Sequence, residues 1–351
     1  MTAPTLSWVP PQYAPTTIEN DGTSVFRFDC RKTLSHVTED INNVNNVYML
    51  YYITTKEGKK FHLNTNAGLN GHELFGTFVS LNDLQTLKAY GASTLVPGKG
   101  SKVRLHWESE PQTIIAPEDG DKWTGTRMLL DFAGIKLDAS IQPTGGNFYY
   151  GGNGGVCIYP AGPDPDPAIA VPGWSWYWAN PTTRIAGHLS INGEEHEIDS
   201  DASFALFERQ WGNFTCRPLY FALWGWLESG EVFIVWGLAP DIEGQFSQAF
   251  ASFWHPNGLH EMIPVGPESR CSDISVSSAT GVKYFNHFFI DLPARNASIK
   301  LKKWIRDAEL LPEPPLKEYI TISESYAEGT VFWNGKEVSF FGHVEQLGGP
   351  E

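Results

Sequence analysis

The sequence predicts an all-β protein built from two tandem β-sandwich or barrel units, and three observations carry that expectation. Apolar residues alternate with a period of two along most of the chain, the pattern of strands with one buried face. Turn dipeptides such as Asn192-Gly193 and Asn334-Gly335 punctuate these runs, as tight hairpins require. Helical periodicity is confined to one short stretch, Leu81 to Tyr90. The strands are too numerous for one small sandwich, and 351 residues suffice for two domains of ordinary size.

Taken in order, the first clear strand runs from Val47 to Thr54 and stops at the turn Lys56-Glu-Gly58. A helix is expected over 81–90, and another strand from Met128 to Phe132. Gly151-Gly-Asn-Gly-Gly155 lacks the Lys-Ser/Thr of a phosphate loop and precedes a strand, so it reads as a bulge or close-packed turn. The Pro-rich segment 160–172 is a loop that either lies over a pocket or only connects elements. Strands follow at Ser203–Glu208 and Tyr220–Glu228, and Glu228-Ser-Gly-Glu231 turns the second one back. The domain boundary is placed near Pro240–Gly244, giving units 1–240 and 241–351, with a boundary near residue 190 as the alternative. Ile299–Ile305 is a strand, Leu311-Pro-Glu-Pro-Pro315 a connection, and Asn334-Gly335 the turn of the last hairpin.

Composition excludes several functions. The formal charge of -15 leaves no basic stripe for phosphates, so no nucleic-acid partner is expected. No apolar run reaches the roughly 20 residues of a membrane helix, so no membrane insertion is expected. The first residues lack the charged and apolar regions of a secretory leader, which gives a cytoplasmic expectation. Cys30, Cys157, Cys216 and Cys271 form no CxxC pair, so no structural zinc is expected, and disulfides stay open. There is no Gly-x-Ser-x-Gly elbow, no His-Glu-x-x-His and no close His pair, so neither a hydrolase triad nor a metal or other cofactor is expected. His255, before the turn Asn257-Gly258, reads as a solvent-exposed turn residue.

Glu208 is the residue that demands an explanation. It shares a strand face with Phe204 and Leu206, and an ionised carboxylate buried among apolar groups costs several kcal/mol unless it is paired. Either Arg209 or Arg217 neutralises it, or it stays an acid with a raised pKa. The next strand is apolar on both faces, with Tyr220, Trp224 and Trp226 on one and Phe221, Leu223 and Leu227 on the other, so it must be covered twice. With Trp236, these tryptophans either fill a core or line a cavity for an unsaturated ligand.

The last hairpin can be registered residue by residue. A two-residue turn at Asn334-Gly335 sets Trp333 opposite Lys336, Thr330 opposite Ser339, Glu328 opposite Phe341 and Tyr326 opposite His343. One face then carries Tyr326, Glu328, Phe341, His343 and Glu345. The other carries Ala327, Gly329, Val331, Val338, Phe340 and Val344 and reads as packing surface. The polar face is either an acid/base constellation or a solvated outer sheet face, and spacing alone favours the solvated face.

These segments carry a resemblance. Glu208-Arg-Gln-Trp-Gly212 resembles the Asp-x-x-Trp-Gly signature of the carotenoid hydratase and AttH-like group, the hydroxyneurosporene-synthase family. Trp176-Tyr-Trp178-Ala-Asn-Pro-Thr-Thr-Arg184-Ile-Ala-Gly187 is similar to that family's aromatic lead into a strand. Tyr326-Ala-Glu328-Gly329, Gly342-His-Val-Glu345 and, more weakly, Val25-Phe-Arg-Phe-Asp29 resemble further family motifs. Two departures stand out: Glu208 replaces the signature Asp, and His343 replaces an aromatic.

The resemblance implies two tandem lipocalin-like units with a ligand pocket at or between them. It also implies chemistry of the family's kinds, either alkene hydration or the cofactor-free cyclisations of its fungal members, Diels–Alderases among them. The expected activity is therefore a cofactor-independent cyclase or isomerase acting on a small hydrophobic, unsaturated natural product in secondary metabolism. The alternatives are an alkene hydratase and a non-catalytic carrier of a hydrophobic ligand. Glu208, Glu345, Glu328, Tyr326 and His343 are the catalytic candidates. Trp211, Tyr220, Trp224, Trp226, Trp236 and Trp178 are the substrate-binding candidates.

Overall fold

The computed structural model describes residues 8–11, 44–70, 74–100, 105–116, 126–152, 154–160, 172–213, 220–238, 240–245, 248–313 and 321–348. The Val25–Asp29 motif, Arg217, Cys30, Cys216 and most of the 160–172 loop lie outside them. The chain is all-β. Its first strands are β1 (Val44–Thr54), β2 (Lys60–Asn70), β3 (Leu74–Asp83), β4 (Lys88–Gly100), β5 (His106–Ser109) and β6 (Gln112–Ile115). Then come β7 (Thr126–Phe132), β8 (Ile135–Gln142), β9 (Phe148–Tyr149), β10 (Gly155–Pro160), β11 (Pro172–Ile191), β12 (Glu194–Glu197) and β13 (Phe204–Asn213). Strands β1 to β8 pair in sequence, β8 pairs with β11, β11 with β13 and β13 with β1. The result is a closed ten-strand antiparallel barrel of lipocalin-like kind.

The remaining strands are β14 (Tyr220–Leu227), β15 (Val232–Leu238), β16 (Gln248–Trp254), β17 (His260–Ile263) and β18 (Arg270–Val276). After them come β19 (Lys283–Leu292), β20 (Ala297–Lys303), β21 (Glu309–Pro312), β22 (Ile322–Trp333) and β23 (Lys336–Leu347). They pair antiparallel in the order β17-β16-β15-β14-β23-β22-β20-β19-β18, and this sheet wraps its own apolar core. The pairing changes sheets between Asn213 and Tyr220. β15 and β16, on either side of residue 240, pair along their length.

Three apolar clusters follow from strand alternation. Val47, Met49, Tyr51 and Ile53 of β1 point into the barrel, whereas Tyr48, Leu50 and Tyr52 point outward. In β14, Phe221, Leu223 and Leu227 enter the second core, whereas Tyr220, Ala222, Trp224 and Trp226 face the barrel's outer wall. The middle cluster is thus a seam between the outer faces of two sheets, with β3, β2, β1, β13 and β11 on one side and β22, β23, β14 and β15 on the other. Each large aromatic buried there contributes roughly 2–3 kcal/mol. Strand β21 ties the units together, running antiparallel to β22 and parallel to β4.

The final hairpin has the expected register at all four pairs named above, and Asn334 and Gly335 both adopt the positive φ that its turn needs. Gly225 and Gly342 face each other across β14 and β23, and a Cβ on Gly342 would lie 1.9 Å from the Trp224 carbonyl oxygen.

Two expectations about local conformation fail. Residues 81–90 form no helix, because β3 runs on to Asp83, whose Oδ1 accepts from the backbone N–H groups of Gln85 (2.9 Å) and Thr86 (3.1 Å), and Leu87 turns the chain at φ 57°. The helical spacing of Leu81 and Leu84 arises because Leu81 enters the barrel core and Leu84 the seam. His255 is not a free turn residue, since it lies 3.3 Å from Glu261 and packs against Trp333. Cys271 is a buried free thiol.

Candidate functional site

The seam gathers the acids. Glu208 projects from β13 into it and is 2% exposed. Its Oε2 accepts a hydrogen bond from the Tyr150 hydroxyl at 2.8 Å, and Trp224 Nε1 donates to that same hydroxyl at 3.1 Å. Burial pushes the Glu208 carboxyl well above its ordinary range, and the nearby Glu345 adds to the shift while the hydrogen bonds oppose it. Arg209 does not neutralise it. As the next residue on the strand, Arg209 turns to the barrel side, bonds Asn45 Oδ1 (3.0 Å) and the Asn46 carbonyl, and lies over Trp107 and Trp211. Burial there lowers its pKa to about 9.

On the opposite wall, hairpin register sets Glu324 of β22 directly across from Glu345 of β23. Like charges so placed repel, so burial and the Glu324–Glu345 pairing both disfavour ionisation. Burial raises the Glu345 pKa to about 7, opposed by the Tyr220 hydroxyl, which donates to Oε1 at 2.6 Å. Glu324 is shifted upward by burial and then by Glu345. Its Oε2 lies 2.6 Å from His343 Nε2, and both side chains are wholly buried.

Tyr48 of β1 closes the seam between the acids. It stacks on Trp224 at 5.5 Å, its hydroxyl lies 3.1 Å from His343 Nε2 and 3.3 Å from Glu324 Oε2, and Asn64 Nδ2 donates to it at 2.7 Å. Burial pushes the Tyr48 phenol upward, and the charges of Glu324, Glu345 and Glu208 push it further. His62 of β2 completes the deep side, with Nε2 2.8 Å from His343 Nδ1.

The expected site residues divide by face. Glu208, Glu345, His343, Tyr220, Trp224 and Trp236 meet around this polar centre, where Trp236 stacks on Tyr220 at 4.7 Å. Tyr326, Glu328 and Trp226 occupy the other end of the seam. There the Tyr326 hydroxyl donates to Glu328 Oε1 at 2.9 Å, and Trp226 stacks on Phe341 and donates to the Pro181 carbonyl. Trp178 and Trp211 point the opposite way, into the barrel core. The reading of the hairpin's polar face as solvated is corrected, because the barrel's outer wall covers it and leaves Tyr326 and His343 at 0% exposure.

Sequence reasoning missed Tyr48, His62, Asn64, Tyr150 and Glu324. Glu324 was within reach, lying two residues before Tyr326 on the same strand face. His62 and Asn64 alternate with the apolar Phe61 and Leu63, which marks a polar outer face but not what covers it.

Among the described residues, no group of three His, Cys, Asp or Glu side chains is arranged to hold a metal ion, and no helix is long and apolar enough to cross a membrane. An open groove of about 540 Å³, lined by Gln112, Asp131, Lys136, Asp138, His188 and neighbours, lies on the barrel's far side, away from the acids.

Fold and site together define a tandem lipocalin-like protein with acids sandwiched between its units. Two solved structures share this fold over nearly their whole length. Kievitone hydratase from Nectria haematococca aligns with a TM-score of 0.76 at 18% identity, covering 98% of this chain and 99% of that one. A candidate AttH protein from Nitrosomonas europaea aligns with a TM-score of 0.70 at 15% identity, covering 96% of this chain and 100% of that one. No protein-family model and no curated protein matches the chain by sequence.

Proposed function

We propose that the chain is an enzyme that adds a proton to a carbon–carbon double bond of a small apolar molecule held in the seam, with water completing the addition. The observation that carries this reading is Glu208, a carboxyl wholly buried among aromatic side chains, whose pKa burial pushes upward and from which the adjacent Arg209 turns away. Such an acid suits proton delivery near neutral pH, a contribution of about 10²–10⁴-fold in rate. Glu208 gives its proton to one alkene carbon. The other carbon, now electron-deficient and faced by Tyr48 and Trp224, bonds to the oxygen of water. That water releases a proton to a basic group of the seam, from which Glu208 is reprotonated, so the net change is addition of H₂O. Of the two similar structures, one is named a hydratase, which supports the same outcome.

The aromatic walls favour a second reading. The stacked pairs Tyr48–Trp224 and Tyr220–Trp236 suit a folded unsaturated substrate, and a nucleophile within that substrate can replace water. The product is then a ring, formed by acid-assisted cyclisation or by a pericyclic reaction of Diels–Alder type. Turnover in oxygen-18-labelled water separates the outcomes: a labelled alcohol supports hydration and an unlabelled ring supports cyclisation. Recovery of unchanged ligand supports the carrier instead. Full activity in both Glu208→Gln and Glu345→Gln would overturn the acid role.

A further inference from the structure

A buried chain of hydrogen bonds runs from the backbone of β1 to Glu324, and its direction is fixed at one end. His62 Nδ1 lies 3.1 Å from the Tyr51 carbonyl oxygen. A carbonyl only accepts, so that nitrogen carries the hydrogen. Burial depresses the His62 pKa to about 3, so the ring is neutral and its Nε2 is bare. That bare nitrogen accepts from His343 Nδ1 at 2.8 Å, and burial, which holds the His343 pKa well below its ordinary value, keeps the ring neutral with a bare Nε2. This Nε2 lies 2.6 Å from Glu324 Oε2, a distance that requires a proton between them, and the carboxyl oxygen is the donor. Asn64 donates to Tyr48, which turns the Tyr48 hydroxyl hydrogen toward Glu324 Oε2. Each of these bonds then has one donor and one acceptor, and the Tyr48 hydroxyl oxygen and His343 Nε2, 3.1 Å apart, share no hydrogen of their own.

We propose that His62 is a positioning residue that fixes the tautomer of His343, and that Glu324 and His343 together form the proton acceptor for the reaction, with Tyr48 between them and the substrate. This assignment rests on the proton-addition reading of the seam for its purpose, though its geometry stands apart from that reading. When water is deprotonated, Glu324 passes its own proton to His343 Nε2 and takes one from the water through Tyr48. The pair thus gains one proton, which it returns to the Glu208 carboxylate. A His343 of the other tautomer would present an N–H to the carboxyl hydrogen and could accept nothing.

The other titratable groups beside His343 are Tyr48 from the barrel side, and Tyr326, opposite it in the hairpin, and Glu345, two residues further along its own strand. Lys303 lies behind that sheet, where its Nζ donates to Ser323 Oγ at 2.8 Å. Burial of His343, reinforced by His62 and Lys303, holds its pKa well below the ordinary value.

Isotope-edited nitrogen NMR of the whole protein, with its histidines labelled and His343 assigned by the loss of signals in His343→Phe, tests the proposal without any substrate. The expected spectrum has one protonated and one bare ring nitrogen for His343, unchanged between about pH 5 and about pH 8. His62→Leu removes the fixed tautomer and shifts both His343 signals, whereas His62→Gln, whose amide both donates and accepts, restores them. A doubly protonated His343 in the unaltered protein, or signals indifferent to His62→Leu in a folded variant, would overturn the proposal. If His62→Leu does not fold, the unaltered protein and His62→Gln still decide it. Because no turnover is read, failure here is distinct from failure of the hydration reading, which the labelled-water experiment decides.

Discussion

Replacing Glu345 by Gln should make the protein more stable at neutral and alkaline pH. The carboxyl has an ordinary pKa of 4.5 in the unfolded chain and about 7 in the seam. Below pH 4.5 it is protonated in both states and adds no pH dependence. Between 4.5 and about 7 the unfolded chain ionises while the folded one stays protonated, so stability falls as pH rises. Above that window both states are ionised and the loss is complete. A displacement of this size corresponds to on the order of 3 kcal/mol. The amide that Glu345→Gln introduces does not titrate, and its oxygen still accepts from the Tyr220 hydroxyl. Urea unfolding of both proteins at about pH 4.5 and about pH 8 should therefore show the variant gaining on the unaltered chain by that amount. The difference between the two proteins removes the opposite contributions of exposed acids such as Asp138 and Asp273, whose partners Arg127 and Arg306 lower their pKa values. Identical pH dependence in the two proteins would mean that the Glu345 carboxyl titrates alike in the folded and unfolded chain.

Three further outcomes are expected. Glu208→Gln should keep the fold, because the amide can still accept from Tyr150, while turnover of an unsaturated substrate drops by about 10²–10⁴-fold. Tyr150→Phe removes a hydrogen bond that favours the Glu208 carboxylate, so the alkaline limb of the rate profile should move to higher pH. Gly342→Ala should cost at least about 3 kcal/mol by thermal or urea unfolding, because a Cβ placed 1.9 Å from the Trp224 carbonyl oxygen meets backbone that cannot swing aside.

Much of this architecture is local and therefore legible. The turn chemistry of Asn334-Gly335 dictates the register of β22 and β23, and that register sets Glu345, His343 and Tyr326 on one face. A slip of one residue would drive Glu345 and His343 into the apolar second core, at a cost of several kcal/mol. The awkwardness of Glu208 is legible for the same reason, since alternation with Phe204 and Leu206 puts it on a buried face. Alternation also places Trp211 opposite to Glu208, and the structure has it there, in the barrel. What covers the hairpin's polar face is not a local property. Tyr48 and His343 lie 295 residues apart in the chain, and a period of two looks alike whether water or a second sheet lies above it. The 81–90 stretch misleads for a related reason: its leucines are spaced like a helix because they serve two different cores.

Proton delivery from the seam requires a protonated carboxylic acid there at neutral pH. Infrared difference spectroscopy between the unaltered protein and Glu208→Gln reads that state directly, through the carbonyl stretch of an un-ionised carboxyl. The expected difference spectrum shows the loss of one protonated-carboxyl band at neutral pH in the variant, with any band of Glu324 common to both proteins. A difference spectrum showing only the loss of a carboxylate band would mean that Glu208 is ionised, and would contradict it.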